Sequence, residues 1–174
     1  MSTSSCSGYN ENAALLLTEF PTKIRASRVI PSPNALGELP PGIHTATLDE
    51  VEAIFARTPR RRALFNGLLH AVQNLQASGV RRVFIDGSFV TTKTAPNDVD
   101  GCWEWHDAVN IDALDPVLLD LSHYRGAMQE KHGIDFFIAN WMEAGLGLTF
   151  LEFFQLNRAD EPKGIVMITL GENA

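Results

Sequence analysis

The chain has 174 residues, of which 45% are hydrophobic, and a formal net charge of −7. This length and apolar content suit a single domain with a sizeable core. The acidic balance argues against a broad electrostatic surface for DNA or RNA and favours small ligands or a protein partner.

The N-terminal segment is predicted to be a flexible tail over residues 1–12, because it is rich in Ser, Asn and Gly. A short helix is predicted over 13–20, and residues 13–174 are expected to form one domain. No apolar run has the length of a membrane span, and the tail lacks the pattern of a secretory signal. We therefore expect a cytoplasmic protein that makes no membrane contact.

The next segment, from Ala26 to Thr45, contains four prolines and Gly42. These residues prevent a regular helix, so we expect an ordered arm that covers the domain. Thr47 and Glu50 then make a capping-box pattern, which predicts a short amphipathic helix.

A second helix is predicted to begin at Thr58 and Pro59, a capping residue followed by proline at the first helical position. Gly79 is predicted to end it. Four arginines near its start are interpreted as a solvated face, with RNA phosphates or an acidic protein as the alternative partner: Arg57, Arg60, Arg61 and Arg62.

The central motif is an apolar strand, predicted over 80–85, that runs into Gly87 and Ser88. Backbone amides of such a turn can face an anion. The next strand, predicted over 99–105, is entered through Asp98 and carries Asp100, and because side chains alternate along a strand these two carboxylates share one face. A carboxylate pair beside a Gly-Ser turn predicts a divalent-metal and triphosphate site.

Simple structural roles also explain parts of this motif. Aspartate pairs and Gly-Ser dipeptides are common in turns, so neither fragment is specific taken by itself. Asp86, directly before Gly87, is interpreted first as a turn-stabilising residue.

Downstream, Asp115 and Pro116 predict the start of a third helix that stops before Gly133. A compact apolar strand follows over 134–138 and carries Asp135, whose alternative role is to bond a neighbouring turn. Residues 141–148 are predicted to form a loop, 149–157 are ambiguous between helix and strand, and 164–170 are predicted to form the last strand.

In this order, Gly87, Ser88, Asp98, Asp100 and Asp135 resemble the hallmark of the polymerase-beta-like nucleotidyltransferase superfamily. The resemblance covers about residues 80–139, which form the motif core. Three flanking pieces look like those of small stand-alone bacterial members in an uncharacterised subfamily: Leu39-Pro-Pro-Gly-Ile-His44, Phe153-Phe-Gln155 and Lys163-Gly-Ile-Val166.

The resemblance implies an α+β fold, a nucleotidyltransferase-like mixed β-sheet with helices packed against it. It also implies Mg²⁺ or Mn²⁺ as cofactor and a nucleoside triphosphate as substrate. Gly87 and Ser88 would hold the triphosphate, Asp98 and Asp100 would bridge the metal ions, and Asp135 would be a third metal ligand or the base for the acceptor.

One departure concerns the residues after the Gly-Ser turn. Small members of the superfamily often carry an arginine there, whereas this chain has Phe89-Val-Thr-Thr-Lys93. Lys93 is the candidate for the missing positive charge, although a lysine in an exposed turn is more often solvated.

Two functions follow from these expectations. The first is transfer of a nucleoside monophosphate to a protein or RNA hydroxyl, including a role in a toxin–antitoxin module with the toxin protein as partner. The alternative is a catalytically silent binding module that keeps the fold and masks a partner protein. A metal-dependent phosphohydrolase ranks last, because the chain lacks histidine clusters.

Overall fold

The computed structural model describes residues 30–120 and 126–171. The predicted tail over 1–12 and the predicted helix over 13–20 lie outside them. The described residues form an α+β fold in which helices pack on one mixed five-stranded sheet. Within these ranges no helix is long and apolar enough to cross a membrane.

The strand order in the sheet is β1-β5-β2-β3-β4. The pairs β1–β5 and β3–β4 are parallel, while β5–β2 and β2–β3 are antiparallel. The four predicted strands are confirmed to within two residues at each end. The strands are β1 (Gly42–Ala46), β2 (Arg82–Asp86), β3 (Val99–Trp103), β4 (Ile134–Ile138) and β5 (Gly164–Thr169).

The helices predicted to begin at Thr47 and at Thr58 are confirmed, together with their caps. The Thr47 hydroxyl accepts a hydrogen bond from the Glu50 backbone N–H at 3.2 Å, and the Glu50 carboxylate accepts one from the Thr47 N–H at 2.8 Å. At the second helix the Thr58 hydroxyl accepts a hydrogen bond from the Arg61 backbone N–H at 3.3 Å, and Gly79 follows the helix with a φ of 91°. The helices are α1 (Leu48–Phe55), α2 (Pro59–Ala77), α3 (Gly126–His132) and α4 (Phe150–Phe153).

Two predicted segments differ from the structure. The expected arm contains β1, which can pair with β5 because Pro40 and Pro41 precede the strand instead of interrupting it. The prediction of one helix from Asp115 was wrong. The chain forms a single 3-10 turn over Pro116–Leu118, closed by hydrogen bonds between residues three apart. Helix α3 follows as a separate element. Residues 121–125 between them lie outside the described ranges.

The two faces of the sheet are covered differently. The main core lies on the face packed by the helices and includes Leu68, Val72, Ile85, Trp103 and Phe136. A smaller apolar cluster on the opposite face includes Phe84, Cys102, Phe154 and Ile165. By strand alternation Asp86 shares this second face with Phe84, and Asp100 shares it with Cys102. The acidic residues therefore lie on the face that the main helices leave open.

Candidate functional site

Three aspartates form a row across neighbouring strands, which we call the carboxylate row: Asp86, Asp100 and Asp135. Asp86 is the register partner of Asp100 on β3, and Asp100 is the register partner of Asp135 on β4. Directly opposed residues project from the same face of a sheet and lie about 5 Å apart. The sheet thus brings Asp100 and Asp135 together as the sequence predicted, and it adds Asp86.

Asp98 approaches this row from the start of β3. It lies two positions before Asp100 and therefore on the same face. Its carboxylate accepts a hydrogen bond from the Gln129 side chain at 3.3 Å. Burial, followed by the neighbouring Asp135 carboxylate, raises the pKa of Asp98.

Gly87 lets the chain turn directly after Asp86. It has a φ of 69°, and a Cβ atom built on it would collide with the Asp100 carboxylate. A 3-10 turn follows over Gly87–Val90. Glycine is therefore required here for the backbone angle and also for the close approach of Asp100.

Replacing Gly87 with alanine is expected to lower the free energy of unfolding by about 2–4 kcal/mol, because both requirements are violated. Gly147→Ala is the matched control: Gly147 has the same φ of 69° but no atom near its Cβ position. Urea titration of the control should report the cost of the backbone angle, about 1 kcal/mol. Equal losses in the two variants would contradict a role for the contact with Asp100.

The carboxylates of the row are partly buried and repel one another. Burial and the charges of Asp98, Asp86 and Asp135 raise the pKa of Asp100 to about 6. Burial also raises the pKa of Asp86, against the opposing effect of Lys163. Fully ionised, the row is thus unfavourable until a cation balances it.

Lys163 supplies one such cation, and sequence reasoning did not assign it to the site. Its ammonium group forms an ion pair with the Asp86 carboxylate, and the two side chains are only 13% and 7% exposed. Lys163 lies immediately before β5, the neighbour of β2. The sequence offered only a lysine at the entrance of an apolar strand, a pattern that does not indicate a partner 77 positions away.

Arg61 is the second residue whose role differs from the prediction, because it is buried and not part of a solvated face. Its guanidinium donates to the carbonyl oxygens of Phe55 at 3.1 Å, Phe89 at 2.7 Å and Thr91 at 2.9 Å. It also donates to the Lys93 carbonyl. Arg61 therefore holds the loop that follows the Gly-Ser turn. Its guanidinium binds the backbone carbonyl oxygens of that loop and does not point to a phosphate site.

A cleft of about 1100 Å³ lies over this end of the sheet. Six acidic and three basic residues line it, and its other lining side chains include the exposed Leu36, Leu146 and Phe153. Asp135 lies beyond Asp100 and does not line the cleft. The predicted site residues that line the cleft are Gly87, Ser88, Lys93, Asp98 and Asp100.

The donor set of the site consists of carboxylate oxygens. Such hard donors suit Mg²⁺ or Mn²⁺, which bind few protein carboxylates and complete their shell with phosphate oxygens and water. Across residues 30–120 and 126–171, no group of three or more His, Cys, Asp or Glu side chains is arranged to hold a metal ion. The residues thus fit a metal that arrives with phosphate better than a closed structural metal site.

Comparison with known proteins identifies a family but no activity for it. No curated protein and no solved structure matches the chain. A family model described as a family of unknown function, DUF6932, matches residues 31–169. This match spans most of the chain and all five strands, and the protein therefore belongs to the DUF6932 family.

Proposed function

We propose that this protein is a metal-dependent nucleotidyltransferase that moves a nucleoside monophosphate from a nucleoside triphosphate to a protein or RNA hydroxyl. The observation that supports the proposal best is the juxtaposition of Asp98, Asp100 and Asp135 beside the Gly87-Ser88 turn. We also propose that the protein is related to the polymerase-beta-like nucleotidyltransferase superfamily. A toxin protein as acceptor and a cytoplasmic location belong to it as well.

The metal proposal follows from the excess of negative charge. The raised pKa of Asp100, at about 6, reflects burial beside other carboxylates, and a divalent ion would relieve this repulsion. Asp98, Asp100 and Asp135 are the residues that would hold Mg²⁺ or Mn²⁺. When bound, such an ion neutralises charge that develops on a phosphoryl group during transfer.

The remaining residues would bind and orient the substrates. Ser88 and Lys93 line the cleft wall next to the carboxylates, where a triphosphate would lie. Arg61 fixes the backbone of this wall, so that its groups need little rearrangement on binding. Asp135, at the outer end of the row, would be either a further metal ligand or the base that accepts a proton from the acceptor hydroxyl.

The proposal is tested by incubating the purified protein and a cell extract with Mg²⁺ and ATP or CTP labelled on the α-phosphate. Wild type should label an acceptor, and Asp98→Asn should reduce labelling by at least about 100-fold, because charge stabilisation in the transition state is lost. Asp107→Asn, an exposed aspartate outside the cleft, is the matched control. Undiminished labelling by Asp98→Asn would overturn the proposed site.

The second candidate is the catalytically silent module that masks a partner protein. It is favoured by one observation: Lys163 and the backbone N–H of Gly87 both interact with the Asp86 carboxylate, so donors expected for a phosphate already have a partner. Calorimetry distinguishes the two functions. The silent module should show no Mg²⁺-dependent nucleotide binding, and it should bind its partner equally well after Asp98→Asn and Asp100→Asn.

A further inference from the structure

The backbone at Lys163 is held rigidly. Its N–H donates to the Gln155 carbonyl at 2.8 Å, and the N–H of Gly164 donates to the Leu39 carbonyl at 2.9 Å. A Cβ atom on Gly164 would collide with the Pro40 carbonyl oxygen, so the chain here is packed tightly. Lys163 therefore projects from a fixed point at the entrance of β5.

The ammonium group of Lys163 can donate more hydrogen bonds than its ion pair with Asp86 uses. A lysine ammonium carries three N–H donors, and the Asp86 carboxylate is its ion-pair partner. Lys163 also lines the cleft, together with Gly87 and Ser88. Donors therefore remain for a ligand that enters the cleft.

A purely structural role explains this ion pair poorly. Removing two charges from water costs several kcal/mol per ion, and well-packed apolar residues often replace such pairs without loss of stability. Asp86 is nevertheless buried and Lys163 is only 13% exposed, and both lie at the edge of a cleft and not in the core. Charge retained at such a place commonly serves binding.

The order of charges across the sheet indicates what the cleft would bind. Lys163 precedes β5 and lies on one side of Asp86, whereas Asp100 and then Asp135 lie on the other. The site thus has a cationic end and an acidic end. A metal-bound polyphosphate has the complementary pattern, with anionic oxygens at one end and a divalent ion at the other.

We propose that Lys163, and not Lys93, is the main protein cation for the polyphosphate chain, and that it binds the phosphates that are not transferred. The inference rests on the proposed function and specifies one of its binding residues. Lys93 differs from Lys163 because it is exposed on the loop near Asp98 and has no fixed partner for its ammonium among the bonds described for that loop.

The test is calorimetric titration, with Mg²⁺, of a non-hydrolysable α,β-methylene ATP analogue and of AMP. Lys163→Met should weaken binding of the analogue at least about tenfold and change AMP binding less than about twofold, since only the outer phosphates lose a charged partner. Lys163→Arg should restore much of the affinity. Lys93→Met should weaken binding of the analogue less than Lys163→Met does, by no more than about threefold, because the exposed Lys93 ammonium is screened by water.

The variant Asp86→Asn distinguishes a binding role of Lys163 from a structural one. It serves as the test if Lys163→Met does not fold. It removes the competing carboxylate and leaves the lysine, so affinity for the analogue should rise about two- to fivefold. A lysine that only supports the fold predicts unchanged or weaker binding in this variant. That result overturns the inference, as does unchanged binding by Lys163→Met or a larger loss in Lys93→Met.

Inorganic tripolyphosphate distinguishes failure of the inference from failure of the proposed function. If wild type binds no nucleotide but binds tripolyphosphate through Lys163, the proposed function fails and the inference stands. If wild type binds neither probe, both are overturned.

Discussion

Asp100→Asn is expected to stabilise the metal-free protein at pH 7 and at the same time to abolish stabilisation by Mg²⁺ with nucleotide. The wild-type carboxylate is buried beside Asp98, Asp86 and Asp135, which raise its pKa to about 6. The amide removes one negative charge from this cluster at nearly constant shape. Thermal unfolding should show a melting temperature about 3–6 °C above that of wild type, corresponding to about 1–2 kcal/mol after allowance for solvent screening.

The pH dependence of this effect follows from the direction of the pKa shift. The pKa of this carboxyl group is near its ordinary value of 3.8 in the unfolded chain and is raised to about 6 in the folded protein. Between these values the folded state binds more protons, so wild-type stability falls as the pH rises through this window. The advantage of Asp100→Asn should therefore be absent below about pH 4 and complete above about pH 6.

Mg²⁺ with the nucleotide analogue should reverse the order of the two proteins. A ligand at 100 times its dissociation constant stabilises wild type by about 2.7 kcal/mol, whereas the variant should gain little. Asp107→Asn, which lies in an exposed turn, should resemble wild type throughout. Equal stabilisation of wild type and Asp100→Asn by the ligand would argue against Asp100 as a metal-binding residue.

Arg61→Met is expected to produce the largest loss of stability. The variant fills much of the same volume but leaves the carbonyl oxygens of Phe55, Phe89 and Thr91 without their buried donor. Each buried acceptor left unpaired costs about 1–3 kcal/mol, and partial access to water lowers the sum to about 3–5 kcal/mol. Denaturant titration should show this loss, together with faster proteolysis of the loop between Ser88 and Asp98.

Arg62→Met is the matched control, because Arg62 is the adjacent arginine on α2 and is exposed. Its free energy of unfolding should lie within about 0.5 kcal/mol of wild type. Arg61→Lys should be intermediate or close to Arg61→Met, since a single ammonium cannot reach several carbonyl groups as a guanidinium does. Similar stability of Arg61→Met and Arg62→Met would contradict the role of Arg61 in holding this loop.

Local patterns in the sequence predicted the elements that frame the site. The capping residues Thr47 and Thr58 predicted the starts of α1 and α2, because a helix cap depends on residues within one turn. Strand alternation predicted that Asp98 and Asp100 share a face. These features depend on neighbours along the chain, so they can be read without a tertiary structure.

Strand β1 escaped prediction for the opposite reason. Gly42–Ala46 is a short edge strand after two prolines, and it is stabilised by its partner β5, which lies more than a hundred residues later. An edge strand pairs with a neighbour on one side only, and strand propensity depends strongly on such tertiary context, so the local sequence signal is weak. Its pairing with β5 could be recognised only in the assembled sheet.

The sequence by itself determined the Gly-Ser turn, the two aspartates that follow it, and the later strand with Asp135, because these depend on short-range order along the chain. The tertiary structure decided which charges meet. Strand register placed Asp86 beside Asp100, the neighbour relation of β5 and β2 brought Lys163 to Asp86, and helix packing buried Arg61 against the loop after Ser88. Register and packing join residues far apart in the chain, and local periodicity carries no information about such contacts.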